Sequence, residues 1–235
     1  SHGSFNASAG ATLNFGGNGT MTLETNSTVS GAGTIGFGGG TVDVNGGYAV
    51  TGSTVINVGT ANFNGSASTK DGTLSEGNLS GSGTLTVSGT MNWTGGTMAG
   101  TGATTIASGG SLVTSGVNDK GFSQRTINNA GTLSWSGTGN INSGNGATIN
   151  NQAGGVFDLQ SDQTWAFNIG GNPPLLSNAG TVRKSGGTGT STLQVVVNND
   201  GSLLMQSGTV NLNKGGDSHG SFNASAGATL NFGGN

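Results

Sequence analysis

The chain has no cysteine, two prolines, one tyrosine and few charges: 6% of its 235 residues are charged, where an ordinary globular domain carries about 25%. Without cysteine no disulfide framework can hold the fold, which fits a secreted protein that does not depend on disulfides. The net charge of −3 is too small to drive disorder by self-repulsion. No basic stripe offers itself to nucleic acid and no basic amphipathic helix to a membrane surface. No run of about 20 apolar residues is present, so no membrane span is expected in this segment, and any export signal is expected outside it. No stretch of ten residues has helical spacing, so essentially no helix is expected.

What the chain has is glycine, 50 of them, with abundant Ser, Thr and Asn. That composition alone would suit a flexible linker. The placement of the apolar residues argues otherwise. In Ala11–Phe15, Thr20–Leu23, Thr41–Val44, Thr84–Val87, Thr132–Trp135 and Thr209–Leu212, apolar and small polar residues alternate. Alternation of period two puts the apolar set on one face of a strand. Many of these runs open on Gly-Thr, a corner residue followed by a β-branched strand former.

A longer register lies over the short one. The unit Asn-Asn-x-Gly or a close relative begins at Ile127, Ile149, Leu176 and Val197, and an apolar-small-Gly unit begins at Val29, Val50, Leu79 and Met98. The spacing of roughly 20 residues, with two or three short strands in each unit, matches one coil of a parallel β-solenoid. Hairpins would turn every 8–12 residues without that register. Stacked coils would bury a continuous apolar column that no single coil can bury. The recurring Asn128, Asn129, Asn150, Asn151, Asn178, Asn198 and Asn199 then become a candidate asparagine ladder, with amides bonding from coil to coil.

Residues Ser218–Asn235 repeat Ser1–Asn18 without a change, at an offset of 217. The chain therefore reads as one tandem repeat, 1–217, followed by the first coil of an identical successor, 218–235. About 11 coils at about 4.8 Å each would advance one repeat by roughly 50 Å. Continuous pairing is expected between Thr209–Leu212 and Ala228–Phe232.

The Asn-Asn-x-Gly-Thr-apolar units resemble repeats of bacterial filamentous-haemagglutinin-like exoproteins, large β-helical surface adhesins. The resemblance covers most of the chain and implies a right-handed parallel β-helix, export, and an adhesive or scaffolding role. It brings over no catalytic residue.

Two segments interrupt the strand rhythm. Ser115–Arg125 concentrates Asp119, Lys120 and Arg125, and Asn168–Leu175 holds Pro173 and Pro174; both are expected to be outward loops. Gly31, Gly33 and Gly36 match a dinucleotide fingerprint, but no helix follows to receive a pyrophosphate. Asp217, Ser218 and His219 are adjacent, so alternation keeps them from converging as a triad. His2 and His219 are one repeat position, which leaves no metal cluster. Asp158 and Asp162 beside Trp165 are the best candidates for a polysaccharide-cleaving acid and base, but few basic or aromatic residues surround them. The expectation is a non-enzymatic structural repeat of an extracellular or cell-surface fibre, without cofactor. Its expected partner is itself, through covalently continuous or end-to-end stacked repeats. The alternative is an adhesin module binding glycans or host surfaces through outward loops.

Overall fold

In a computed structural model, which describes residues 1–233, the chain is a parallel β-solenoid of about 11 turns with about 21 residues per coil. The described residues contain thirty strands, most of about four residues, and no helix. Most coils lay down three strands, though Gly47–Ile56 and Ser66–Leu74 each run through two faces, and within the stack each strand pairs in parallel with its counterparts one coil earlier and one coil later. One column, face 1, runs through Thr84–Val87, Ala103–Ile106, Thr126–Asn129, Thr148–Asn151, Leu175–Asn178 and Val196–Asn199. Face 2 follows it in each coil, through Ser111–Thr114, Thr132–Trp135, Val156–Leu159, Thr181–Lys184 and Ser202–Met205. Face 3 is an eleven-stranded column from Thr20–Leu23 to Thr229–Phe232.

The alternation read from the sequence is what orients the strands. In Thr84–Val87, Leu85 and Val87 are buried and the threonines are partly exposed; Thr209–Leu212 repeats the pattern. The inward residues of successive coils stack on one another. Phe15, Phe37 and Phe63 form an aromatic run with centroids 5.6 and 5.8 Å apart. Trp93, Phe122 and Trp165 form another at 6.1 and 6.2 Å, the second contact reaching past the intervening strand Ile141–Gly144. Burying each such ring contributes on the order of 2–3 kcal/mol, and coil-on-coil stacking is what buries them.

Corners are built from small residues because neighbouring coils are one strand spacing apart. A Cβ on Gly180 would lie 2.3 Å from the Gly155 carbonyl oxygen, and one on Gly201 would lie 2.1 Å from that of Gly180. Glycine is required there by space.

The expected pairing at the second copy is present: Thr209, Val210, Asn211 and Leu212 partner Thr229, Leu230, Asn231 and Phe232. The last two residues of the 218–235 segment lie outside the described residues.

Candidate functional site

Four of the seven asparagines converge in one buried column. Asn129, Asn151, Asn178 and Asn199 are the last residues of successive face 1 strands, in register, and each is at most 1% exposed. Asn129 Nδ2 donates to Asn151 Oδ1, Asn151 Nδ2 to Asn178 Oδ1, and Asn178 Nδ2 to Asn199 Oδ1, all at 2.7 Å. Each amide also donates across the corner to the carbonyl that opens the next coil's face 2 strand: Val156, Thr181, Ser202 and Ser221 in turn. The ladder thus satisfies corner carbonyls as well as itself, which buried polar groups require. It stops at Asn129, whose Oδ1 has no partner because Ile106 precedes it in the column.

The other three asparagines are not in that column. Asn128, Asn150 and Asn198 lie one residue earlier, and alternation turns them to the outer surface. Asn150 Nδ2 reaches Asn128 Oδ1 at 3.2 Å, but Ser177 interrupts the row before Asn198.

Three of the five expected outward residues require correction. Lys120 is fully buried, on the strand Lys120–Ser123, where alternation places it on the same inward face as Phe122. Its ammonium turns back to the Asn118 carbonyl at 2.7 Å. Burial pushes its pKa down, against the opposing effect of Asp119. Arg125 is also fully buried. It follows Gln124, whose φ of 66° turns the corner, and its guanidinium enters the preceding coil. There it donates to Thr104 Oγ1 at 2.9 Å, the Ala99 carbonyl at 3.1 Å and the Ala103 carbonyl at 2.7 Å. With neutral acceptors only, burial pushes its pKa down to about 10. Pro174 is buried in its corner, and its carbonyl accepts from Val196. Asp119 and Pro173 are exposed. Asp119 is nonetheless tied to the next coil, accepting from the Asn140 amide at 2.8 Å and from Asn142 Nδ2 at 3.2 Å.

Asp158 and Asp162 are each committed to a cation one coil later. Asp158, buried, pairs with Arg183 at 2.7 Å, and Asp162 with Lys184 at 2.6 Å. Burial pushes the Asp158 carboxyl up. Hydrogen bonds from Arg183, Ser185 and Gln160, with the Arg183 charge, outweigh that and hold it below the usual carboxylate range. For Asp162, burial again acts upward and is outweighed by Lys184 and the Gly189 amide. Low-pKa carboxylates held by ion pairs are poor proton donors, so this pair has the geometry of a coil-to-coil clamp. Lys184 itself was not singled out in the sequence. It is fully buried in the inward column of face 2, between Leu159 and Met205, and also donates to the Ser161 carbonyl and Ser191 Oγ.

A polar depression on the outer surface is lined by Asp43, Asn45, Asn62, Asn64, Thr101 and Gln124, among others. Asn62 Nδ2 donates to Asp43 Oδ1 at 2.7 Å, and Asn64 Nδ2 to Asn45 Oδ1 at 2.9 Å. It offers a carboxylate, amides and hydroxyls, without an aromatic platform. A second depression lies at the C-terminal end of the stack. Its apolar lining is Val197, Leu212, Phe222 and Phe232. Among the described residues no group of three or more His, Cys, Asp or Glu could hold a metal ion, and no helix is long and apolar enough to cross a membrane.

Comparison of the chain with known protein families, with curated proteins and with solved structures returned no match.

Proposed function

We propose that this chain is a structural length of an extracellular or cell-surface fibre or adhesin stalk, extended by stacking tandem solenoid repeats end to end. The observation that carries this reading is the unchanged eighteen-residue copy, whose strand Thr229–Phe232 continues the face 3 column in register. Such a seam adds length without a hinge. The Asn ladder, the Asp158–Arg183 and Asp162–Lys184 pairs and the Arg125 guanidinium bond along the axis, between coils, as a load-carrying rod requires. The resemblance to filamentous-haemagglutinin-like repeats implies the same role.

The test is immunogold labelling of intact producing cells with an antibody raised against the exposed loop around Val117, which is 78% exposed. Label along surface fibres supports the reading; label found only after permeabilisation contradicts it.

The polar depression at Asp43–Gln124 favours a second reading, glycan binding along the shaft. Specific binding on a glycan array, abolished by Asn62→Ala with Asn64→Ala, would support it. Deleting Ser115–Arg125 would be a poor test, because Lys120, Phe122 and Arg125 are core residues.

A further inference from the structure

We infer that successive repeats are turned about the fibre axis by one face, so that each repeat spans ten coils and one third. This rests on the stacked-repeat reading above and adds the register of its seam.

The two identical copies occupy different columns. In the first, Ser4–Asn6 lies on face 1 against Thr28–Gly31, and Thr12–Phe15 on face 2 against Thr34–Phe37. In the second, Ser221–Ala224 pairs with Ser202–Met205 on face 2, and Thr229–Phe232 with Thr209–Leu212 on face 3. The preceding residues move by the same step. The Ser1 carbonyl accepts from Glu24 at the end of face 3, whereas Ser218 bridges Asn199 at the end of face 1. The length agrees: 217 residues at about 21 per coil make about 10.3 coils.

The sequence accommodates the step. Asn178-Ala179-Gly180-Thr181 and Asn199-Asp200-Gly201-Ser202 turn the corner from face 1 to face 2. Ser218-His219-Gly220-Ser221 has the same form, with Ser in the place of Asn. Gly220 falls in the glycine column, where a Cβ would lie 2.2 Å from the Gly201 carbonyl oxygen. Asn199 Nδ2 donates to the Ser221 carbonyl as the earlier ladder asparagines do to theirs. The next turn is indifferent to its corner. It closes from Ala11 to the Ser8 carbonyl at 2.9 Å between faces 1 and 2, and from Ala228 to the Ser225 carbonyl at 3.0 Å between faces 2 and 3. Gly10 and Gly227 keep φ values of 79° and 83°.

The occupant of the open end follows from the first copy. Phe222 and Phe232 are 37% and 65% exposed. Phe15, the counterpart of Phe232, is 5% exposed because Thr34–Phe37 covers it, with Phe37 at 5.6 Å. The segment that covers the second copy is therefore the sequence Thr20–Phe37 of the same successor repeat, which begins at Ser218. An outward feature such as the Val117 loop then comes up on each face in turn and returns to its first face every third repeat, about 150 Å along. The fibre has no bare side.

The absence of cysteine makes the test clean. In a chain of two consecutive repeats, Leu204→Cys with Asn223→Cys probes the turned seam, since these are register partners on face 2. Asn198→Cys with Asn223→Cys probes an unturned seam on face 1. Asn128→Cys with Asn150→Cys, register partners within a repeat, is the control. Neighbouring strands are about 4.8 Å apart, within disulfide reach. The expected result on a non-reducing gel and by mass is oxidation of the turned pair and the control, with the unturned pair reduced. Oxidation of the unturned pair instead overturns the turn and leaves the stack standing. Oxidation of the control alone overturns the stack itself, and the turn with it.

Discussion

Replacing Asn151 by Ala removes the middle of the buried ladder, and its cost can be worked from the partners it leaves. The Asn151 amide accepts from Asn129 and donates to Asn178, to the Gly155 carbonyl at 3.2 Å and to the Thr181 carbonyl at 3.1 Å. After substitution Asn129 Nδ2 keeps Val156, and Asn178 Oδ1 keeps the Gly180 amide, so neither is fully orphaned. The Thr181 carbonyl loses this donor without gaining water. Four hydrogen bonds are lost, and at about 1 kcal/mol for each the sum is about 4 kcal/mol. Asn150→Ala, one residue away but outward, removes one 3.2 Å bond between half-buried amides and costs about 0.5 kcal/mol. A solenoid need not unfold in one step, so the assay is hydrogen exchange at the amides of Gln152, Ala179 and Thr181. Asn151→Ala should lower their protection by roughly three decades, and Asn150→Ala by less than one. Equal effects from the two variants would refute the ladder as a source of stability.

Lys184 and Asp162 should respond unequally. Asp162→Asn strands a buried ammonium and should cost roughly 3 kcal/mol in denaturant unfolding, while Lys184→Met leaves a carboxylate that is 33% exposed and should cost less than half as much. The reverse order would contradict the burial of that side chain. Asp158 and Asp162 both have carboxyls held low by folding. Their stabilisation is complete above the ordinary carboxylate value of about 4 and is lost as pH falls through their folded values below it. Thermal unfolding should be nearly flat from pH 5 to 8 and fall steeply below about pH 4, and Asp158→Asn with Asp162→Asn should flatten that acid limb. Gly201→Ala places a Cβ 2.1 Å from a backbone oxygen and should lower stability by about 1–3 kcal/mol, against a near-neutral Ser→Ala at the exposed Ser225, measured by melting temperature.

The strand alternation and the coil period were legible because both are one-dimensional patterns that local geometry enforces. The division of the asparagines was not drawn, although parity carried it. In Ile127-Asn128-Asn129 the second asparagine shares the face of the buried Ile127, which marks it as inward. The same parity marks Lys120 through Phe122 and Lys184 through Val182, but charge argues for exposure and concealed the signal. A lysine stem fills the column, and its ammonium bends to a corner carbonyl or carboxylate. Arg125 carried no such mark, because Gln124 in the left-handed region breaks the alternation just before it. The ion pairs Asp158–Arg183 and Asp162–Lys184 join residues one coil apart, so they emerge only once the register is fixed. The turned seam was concealed by identity itself, since equal sequences invite equal placement. The repeat length of 217 residues, which is not a whole number of coils, and the likeness of Ser218-His219-Gly220-Ser221 to the Asn-x-Gly-Ser/Thr corner are its signals.

The most direct measurement is the length of chains made of one, two, three and four repeats, taken from electron micrographs of single particles. Continuous stacking at about 4.8 Å per coil predicts straight rods that lengthen by about 50 Å for every 217 residues added. Particles that bend freely between globules, or lengthen by an increment far from 50 Å, would contradict the account.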